Sequence, residues 1–422
     1  MSSALLGYDE AAAAIAACAA GLGHVRKAVE SVELEQAAGR VLARALRADR
    51  DQPPFARSTR DGYACRAAEA SQHALLPVAG ATRAGQAPSG SLPAGAAWEI
   101  MTGAAVPKGA DAVMMLEHVA AESGGVRLFD ARTVAAGENI VARGAQARKG
   151  DELLASGSLL GPAQIALAAA CGYRELEVFA RPRVAILTTG DEIVPVEAEP
   201  GPSQIRNSNG PMLAAMTVAA GGEPWVLPTA ADTADALDAA LSGIAQADLL
   251  LVTGGVSAGK FDLVEPALER AGARFHFTGV RIQPGKPTVF GELRASQASS
   301  AARPRRKRLP LFGLPGNPIS SAVTFLLFAA PVLEALAGRR DAAPRFAAAR
   351  LTAEVKGKGG LTRFLPAFCN FAAPAGALPQ VALVPWQGSG DLAALARSNC
   401  FLVLPEEAHR LKAGATVRIL LP

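Results

Sequence analysis

The sequence predicts a multidomain chain whose centre is a three-layer α/β domain with a mainly parallel sheet. A small β-rich inserted domain, a helical linker domain and a C-terminal β-barrel-like domain complete it. Three observations give this class. Apolar runs at 184–187, 249–252, 279–282 and 309–312 each end in a glycine-rich turn, the pattern of buried parallel strands. Helical patterns at 210–220, 234–245, 262–271 and 318–336 alternate with those runs, as crossover helices do. On either side the pattern changes to short strands punctuated by Gly and Pro. At 422 residues there is material for several separate cores.

In chain order, the alanine-rich run 11–20 predicts a helix, with Asp9 and Glu10 suited to its positive N-terminal end. Amphipathic spacing predicts a second helix over 32–45. Residues 47–142 read as the β-rich insertion, cut by turns at 85–90 and 107–109. Gly161-Pro162-Ala163 then starts a helix over 164–171. The linker domain is therefore discontinuous, 1–46 plus 143–180. The α/β domain takes 181–337. Strands at 350–355, 381–385, 400–404 and 416–421 assign 338–422 to the terminal β domain.

Composition excludes several classes. A formal charge of +4 is too small to argue for nucleic acid. Arg303, Arg305, Arg306, Lys307 and Arg308 read as a solvated loop tip between two strands. The five cysteines are scattered without a C-x-x-C pair, which favours a reducing cytoplasm over a disulfide or zinc framework. The run 11–20 lacks the basic flank of a signal peptide, and Pro331 and Glu334 interrupt the most apolar stretch. A soluble protein without a membrane partner is expected.

The chemistry sits in the turns. Thr189-Gly190-Asp191-Glu192, Gly254-Gly255 with Ser257 and Gly259, Gly285-Lys286-Pro287 and Gly316-Asn317-Pro318 with Ser320 follow the four apolar runs. In a parallel sheet such turns build the ligand site at the strands' carboxyl ends. Glycines let backbone N–H groups approach an anion, and a following helix adds positive potential. Lys286, constrained between glycine and proline, offers a fixed point charge. Asp191, Glu192 and Asp262 suit a magnesium ion that bridges to phosphate. The expectation is a phosphorylated ligand.

Further motifs extend beyond this domain: Ser58-Thr59-Arg60-Asp61-Gly62-Tyr63-Ala64, Glu99-Ile100-Met101-Thr102-Gly103-Ala104, Gly109-Ala110-Asp111-Ala112-Val113, Ile205-Arg206-Asn207-Ser208-Asn209 and Gln387-Gly388-Ser389-Gly390-Asp391. As an ordered set covering nearly the whole chain, they resemble the molybdopterin molybdenumtransferases, the MoeA proteins and the E domain of gephyrin. The resemblance implies a homodimer, its cleft lying between the α/β domain of one subunit and the small β domain of the other. It implies that molybdate and adenylylated molybdopterin give molybdenum cofactor and AMP, with Mg2+ assisting. Asp61 is then the acid contributed across the dimer, joining Glu192 and Asp262 at the metal. Glu192, Asp262 and Lys286 carry the chemistry with Asp61. Thr102, Thr189, Gly190, Asp232, Gly254, Gly255, Ser257, Gly259, Pro287, Asn317, Ser320 and Ser389 bind substrate. Asp232 reads equally as a helix N-cap.

Three departures stand out. Gln283 replaces the first lysine of the family's K-P-G-K-P, although its amide can still donate. Gln146 replaces an aspartate, and Leu361 an arginine, with Arg363 nearby. Two other readings remain at this stage: molybdopterin adenylyltransferase, and a non-catalytic paralogue that binds and passes on the cofactor. Other cofactor-biosynthesis proteins are the expected partners.

Overall fold

The structure, a computed structural model, describes residues 5–23, 27–71, 73–129, 132–255, 263–294, 308–357, 359–374 and 376–422. Ser257, Gly259 and Asp262, and the basic residues 303–307, lie outside these.

Helix α1 (Tyr8–Gly23) buries Ala11, Ile15 and Ala19, four residues apart, on one face. That face joins the core of the α/β domain. The helix expected over 32–45 does not form. Instead strand β1 (Val29–Glu33) pairs antiparallel with Glu175–Phe179, and a 3-10 turn over Leu34–Gln36 follows. A distant strand satisfies its backbone groups, so tertiary pairing wins over helical spacing.

The insertion is built on β2 (Gly62–Cys65), β3 (Val78–Thr82), β4 (Ala97–Ile100) and β5 (Ala112–Met115), in the spatial order β3-β4-β2-β5. Alternate residues serve two cores: Cys65, Ala97 and Met114 face one, Ala64, Trp98 and Val113 the other. Gly62 has to be glycine, because a Cβ there would lie 1.9 Å from the Met114 carbonyl oxygen. Helix α2 (Pro162–Ala170) begins on Pro162 as expected, and Gln164 Oε1 accepts from Gly161 N at 3.2 Å. Strand β6 (Glu175–Phe179) completes the pair with β1.

The α/β domain runs β7 (Arg183–Thr188), α3 (Asn209–Ala219), β8 (Glu223–Val226), α4 (Ala234–Ser242), β9 (Leu249–Thr253), α5 (Val264–Arg270), β10 (Arg274–Phe277), β11 (Ile282–Gln283), β12 (Val289–Arg294), β13 (Arg308–Leu314), α6 (Pro318–Thr324) and α7 (Ala330–Leu336). Its sheet has the order β8-β7-β9-β13-β12-β10, the first four strands paired in parallel and β12 antiparallel to both of its neighbours. Ile186 and Leu251 face one core with Phe328 and Leu336, while Leu187 and Leu250 face another with Leu237 and Leu268. Helices thus cover both faces. The run 279–282 is not a strand of this sheet. Val280 and Ile282 are buried, but β11 pairs in parallel with Thr362 and Arg363 of the terminal domain.

Between α6 and α7 a π turn spans Phe325–Ala329. Pro331 has no N–H to donate to Leu327, so the ladder is broken there. Pro318–Leu336 has the length and hydropathy of a membrane span, but it is a core helix, 94% buried.

In the terminal domain, β14 (Phe346–Leu351), β15 (Thr362–Asn370), β16 (Gln380–Leu383), helix α8 (Leu392–Arg397), β17 (Cys400–Leu404) and β18 (Thr416–Leu420) form a barrel. Five strands close in the order β15-β16-β14-β18-β17, β17 returning to β15, around Leu351, Ala367, Val381, Leu402 and Ile419. Glu334 anchors the chain on its way in: its Oε1 accepts from Arg339 at 2.9 Å and from Arg345 at 2.8 Å. The Glu334 side chain is 5% exposed and that of Arg339 11%. Breaking the pair leaves the buried Arg339 guanidinium with one partner, the exposed Asp341 at 2.9 Å. Glu334→Ala is therefore expected to lower unfolding stability by about 2 kcal/mol in urea titration. A loss below about 1 kcal/mol would mean the pair behaves like a surface one.

Candidate functional site

Three parallel strands end level with one another: Thr188 lies opposite Thr253, and Thr253 opposite Leu314. Beyond them the turns touch. Thr189 N donates to Thr253 O at 3.0 Å, and Gly254 N to Leu314 O at 3.3 Å. Gly254 has φ +95°, and a Cβ on it would lie 2.4 Å from Thr189 O. Only glycine permits that approach. A Cβ on Gly316 would in turn lie 3.5 Å from Gly254 Cα. Asn209, at the start of α3, ties the edge together: its Nδ2 donates to Thr253 Oγ1 at 3.0 Å and Gly316 O at 2.6 Å. Asn207 Nδ2 donates to Thr188 Oγ1 at 3.2 Å, and its Oδ1 accepts from Gly210 N. Neither asparagine was singled out as a site residue, although both lie in the Ile205-to-Asn209 motif. Thr189 Oγ1 and Asn209 Oδ1 are buried at this edge without a hydrogen-bond partner.

The acids gather on the β7 side. Asp191 Oδ1 accepts from Asp232 N at 3.0 Å. The Asp232 carboxyl is held above the usual carboxylate range, first by burial and then by the charges of Asp191 and Glu192. Asp232 does not cap α4. Thr233 does, its Oγ1 accepting from Ala236 N, so the Asp232 carboxylate is left to the site. Glu192 folds back over Gly190, where a Cβ would lie 2.8 Å from its Oε2. Among the described residues no group of three or more His, Cys, Asp or Glu is placed to hold a metal ion.

The cations sit opposite. Because Val289 of antiparallel β12 pairs with Gly313, the Gly285-Lys286-Pro287 turn falls at the same edge as the end of β13. Thr288 Oγ1 donates to Gly285 O at 2.6 Å, Val280 N donates to Lys286 O, and a Cβ on Gly285 would strike Thr324 at 2.4 Å. The backbone is thus fixed while the Lys286 side chain is exposed, with no ion pair among the described residues.

Asn317 and Ser320 open α6. Pro318 has no N–H, Ile319 N donates to Ser389 O at 3.0 Å, and Ser321 N donates to Asn317 O at 2.9 Å. Of that turn's donors, Ser320 N is left among the described residues. Ser389 contributes its carbonyl here, in a loop closed by Asp391, which accepts from Gln387 N and Ala394 N. One edge therefore gathers Thr189, Gly190, Glu192, Asp232, Gly254, Gly255, Lys286, Pro287, Asn317, Ser320 and Ser389.

Asp61 and Thr102 stand apart, in the inserted domain. Asp61 Oδ1 accepts from Thr102 N at 2.6 Å and Thr102 Oγ1 at 2.8 Å, which hold its carboxyl below the usual range. No hydrogen bond or ion pair among the described residues joins them to the edge of their own chain. Of the departures, Gln146 lies exposed beside the Arg143–Asp51 pair. Gln283 does not present its amide alone: its Oε1 accepts from Arg363 Nε at 2.9 Å and Nη2 at 2.5 Å.

Three family models match most of the chain. Residues 6–172 match the MoeA N-terminal region (domain I and II), 185–335 the probable molybdopterin binding domain, and 348–421 the MoeA C-terminal region (domain IV). The chain is 33% identical over 393 residues to the molybdopterin molybdenumtransferase of Haemophilus influenzae, covering 92% of this chain and 93% of that one. It is 34% identical over 400 residues to that of Bacillus subtilis, covering 93% and 89%. The crystal structure of the molybdopterin biosynthesis MoeA protein from Pyrococcus horikoshii superposes with a TM-score of 0.77 at 28% identity, covering 99% of this chain and all of that one.

The Asp61 carboxyl gives a direct check on the inserted domain. Its lowered pKa makes a stability contribution that is present at neutral pH and lost as pH falls through the folded value. Thr102→Val removes the hydroxyl donor, so the Asp61 carboxyl resonance is expected to titrate at higher pH in carbon-detected NMR. An unchanged midpoint would mean the hydroxyl bond has no influence on this group.

Proposed function

The chain belongs to the MoeA family of molybdopterin molybdenumtransferases, and on that footing we propose that it inserts molybdenum into adenylylated molybdopterin. Molybdate and adenylyl-molybdopterin are the substrates, molybdenum cofactor and AMP the products. The observation that supports this best is the separation of charge along one strand edge, with Asp191, Glu192 and Asp232 on one side and Lys286 on the other.

Every reactant is an anion, so the physical task is charge compensation. The turns at Gly190, Gly254 and Gly255 bring backbone close to the phosphates of the pterin adenylate. Lys286 meets the oxyanion as a point charge. Thr189 Oγ1, buried without a partner, offers a hydrogen bond to bound substrate. Asp61, held ionised by Thr102, enters from the second subunit of a homodimer. Its detachment from the edge of its own chain supports that arrangement.

Magnesium fits this donor set. Carboxylate oxygens are hard ligands, and the Asp232 carboxyl, raised first by burial, is raised further by the charges of Asp191 and Glu192, a repulsion that a cation relieves. Mg2+ is commonly held by one or two carboxylates plus substrate phosphates, so a closed protein cage is not required. Glu192, Asp262 and Asp61 would hold it, and it would neutralise phosphate charge there. The scattered cysteines suit a reducing cytoplasm, where other cofactor-biosynthesis proteins supply the adenylate and receive the product. Neither nucleic acid nor membrane enters this reading. An adenylyltransferase is not favoured, since the likeness to molybdenumtransferases extends through the β domains as well.

Lys286→Ala and Glu192→Ala are each expected to lower molybdenum insertion on the order of 100-fold. Circular dichroism and melting temperature are expected to stay unchanged. Full cofactor synthesis by both variants would overturn the assignment.

A further inference from the structure

We propose that Arg363 is the second fixed cation of this edge, that Gln283 is its positioning residue, and that the pair sets affinity for the tetrahedral oxyanion. The inference rests on the molybdenumtransferase reading.

The geometry is specific. β11 and β15 run in parallel with Gln283 opposite Arg363. Gln283 Oε1 accepts from both Nε and Nη2 of Arg363, gripping one edge of the guanidinium. A guanidinium has five N–H donors, so three remain for another acceptor. The grip is by a neutral amide, which orients the fork without cancelling its charge. A carboxylate in the same place would do both. Neighbouring Arg281 shows that alternative, pairing with Glu406 at 3.6 Å. Arg363 has no carboxylate within ion-pair distance among the described residues, and Lys286 has none either. Lys286 follows Gln283 by three residues, so chain length alone keeps their Cα atoms within about 11 Å.

Two uncompensated cations therefore flank one rigid turn at the carboxyl edge of the sheet. The helix start beside it offers fewer donors than usual, because Pro318 has no N–H and Ile319 N donates to Ser389 O. A planar fork meets two oxygens of a tetrahedral dianion at once, which a lysine cannot do. Gln283 thus works by holding an arginine with its carbonyl, and its own amide N–H groups are secondary.

The test moves the charge across the pair. Initial rates of molybdenum insertion are measured against molybdate for wild type, Arg363→Gln and the double variant Gln283→Lys/Arg363→Gln. Equilibrium dialysis of molybdate alone on the same three proteins accompanies them. Arg363→Gln is expected to raise the half-saturating molybdate concentration about 10- to 100-fold. Turnover at saturating molybdate, half-saturation by adenylyl-molybdopterin and melting temperature are expected to stay near wild type. The double variant restores one cation and should recover most of the molybdate affinity. Unchanged molybdate half-saturation in Arg363→Gln would overturn the proposal. So would a loss shared equally by turnover, pterin affinity and melting temperature, which is what a mere β11–β15 staple predicts. If wild type inserts no molybdenum, the transferase reading falls. Dialysis then still decides the pair, since equal molybdate binding by wild type and Arg363→Gln would sink it.

Discussion

The structure depends on one close approach: the backbone of Gly254 against the carbonyl of Thr189, with Gly316 packed against Gly254 in turn. Three strand ends that lie level give three turns that lie together, and at Gly254 only a residue without a Cβ lets them meet at this distance. Asn209 locks the arrangement from the side, its amide donating to a threonine hydroxyl and a turn carbonyl on different strands. Each such bond contributes about 1 kcal/mol net, but unpairing buried groups costs about 1–3 kcal/mol each. The side chain thus matters more for what it keeps satisfied than for the bonds it forms. Neighbouring Asn207 repeats the device one turn earlier, between the end of β7 and the start of α3.

On that frame the charges separate. Acids occupy the turns after β7 and around Asp232; cations occupy the turn before β12 and the adjoining barrel strand. Two like unit charges about 4 Å apart repel by about 1 kcal/mol in water and about 4 kcal/mol at an effective dielectric of 20. Burial first, and repulsion of that kind second, make Asp232 hold its proton more tightly than a solvated aspartate. A single edge with one sign of charge would suit one ligand. An edge divided this way suits a cation and an oxyanion side by side.

Much of this was legible in the sequence, and the failures have physical causes. Glycine after an apolar run is informative because strand ends and Cβ clashes are local, so the turns at Gly190, Gly254 and Gly316 could be read directly. The start of α2 at Pro162 was equally local. The helical spacing of 32–45 was overruled by β6, more than a hundred residues away, which pairs with 29–33. The run 279–282 was correctly read as buried, but burial does not say which sheet supplies the hydrogen bonds. Asp232 and Thr233 are both good caps, and adjacent residues cannot be ranked without coordinates. Gln283 looked like a lost charge because its partner lies eighty residues further on.

The seam between the α/β domain and the barrel explains why side chains, more than a helix end, must meet an oxyanion here. A helix N-terminus attracts anions through unpaired N–H groups and the partial charge they carry. At α6 that capacity is reduced: Pro318 has none to give, and Ser389 O takes the Ile319 N–H. The bond from Ile319 to Ser389 is also what docks the Gln387-to-Asp391 loop of the barrel onto the α/β domain. On the other flank β11 leaves the α/β domain and joins barrel strand β15, which brings Arg363 beside Gln283. Docking the barrel thus takes one backbone donor from the helix start and brings a guanidinium to the same seam. The barrel is part of how the edge acquires its positive side.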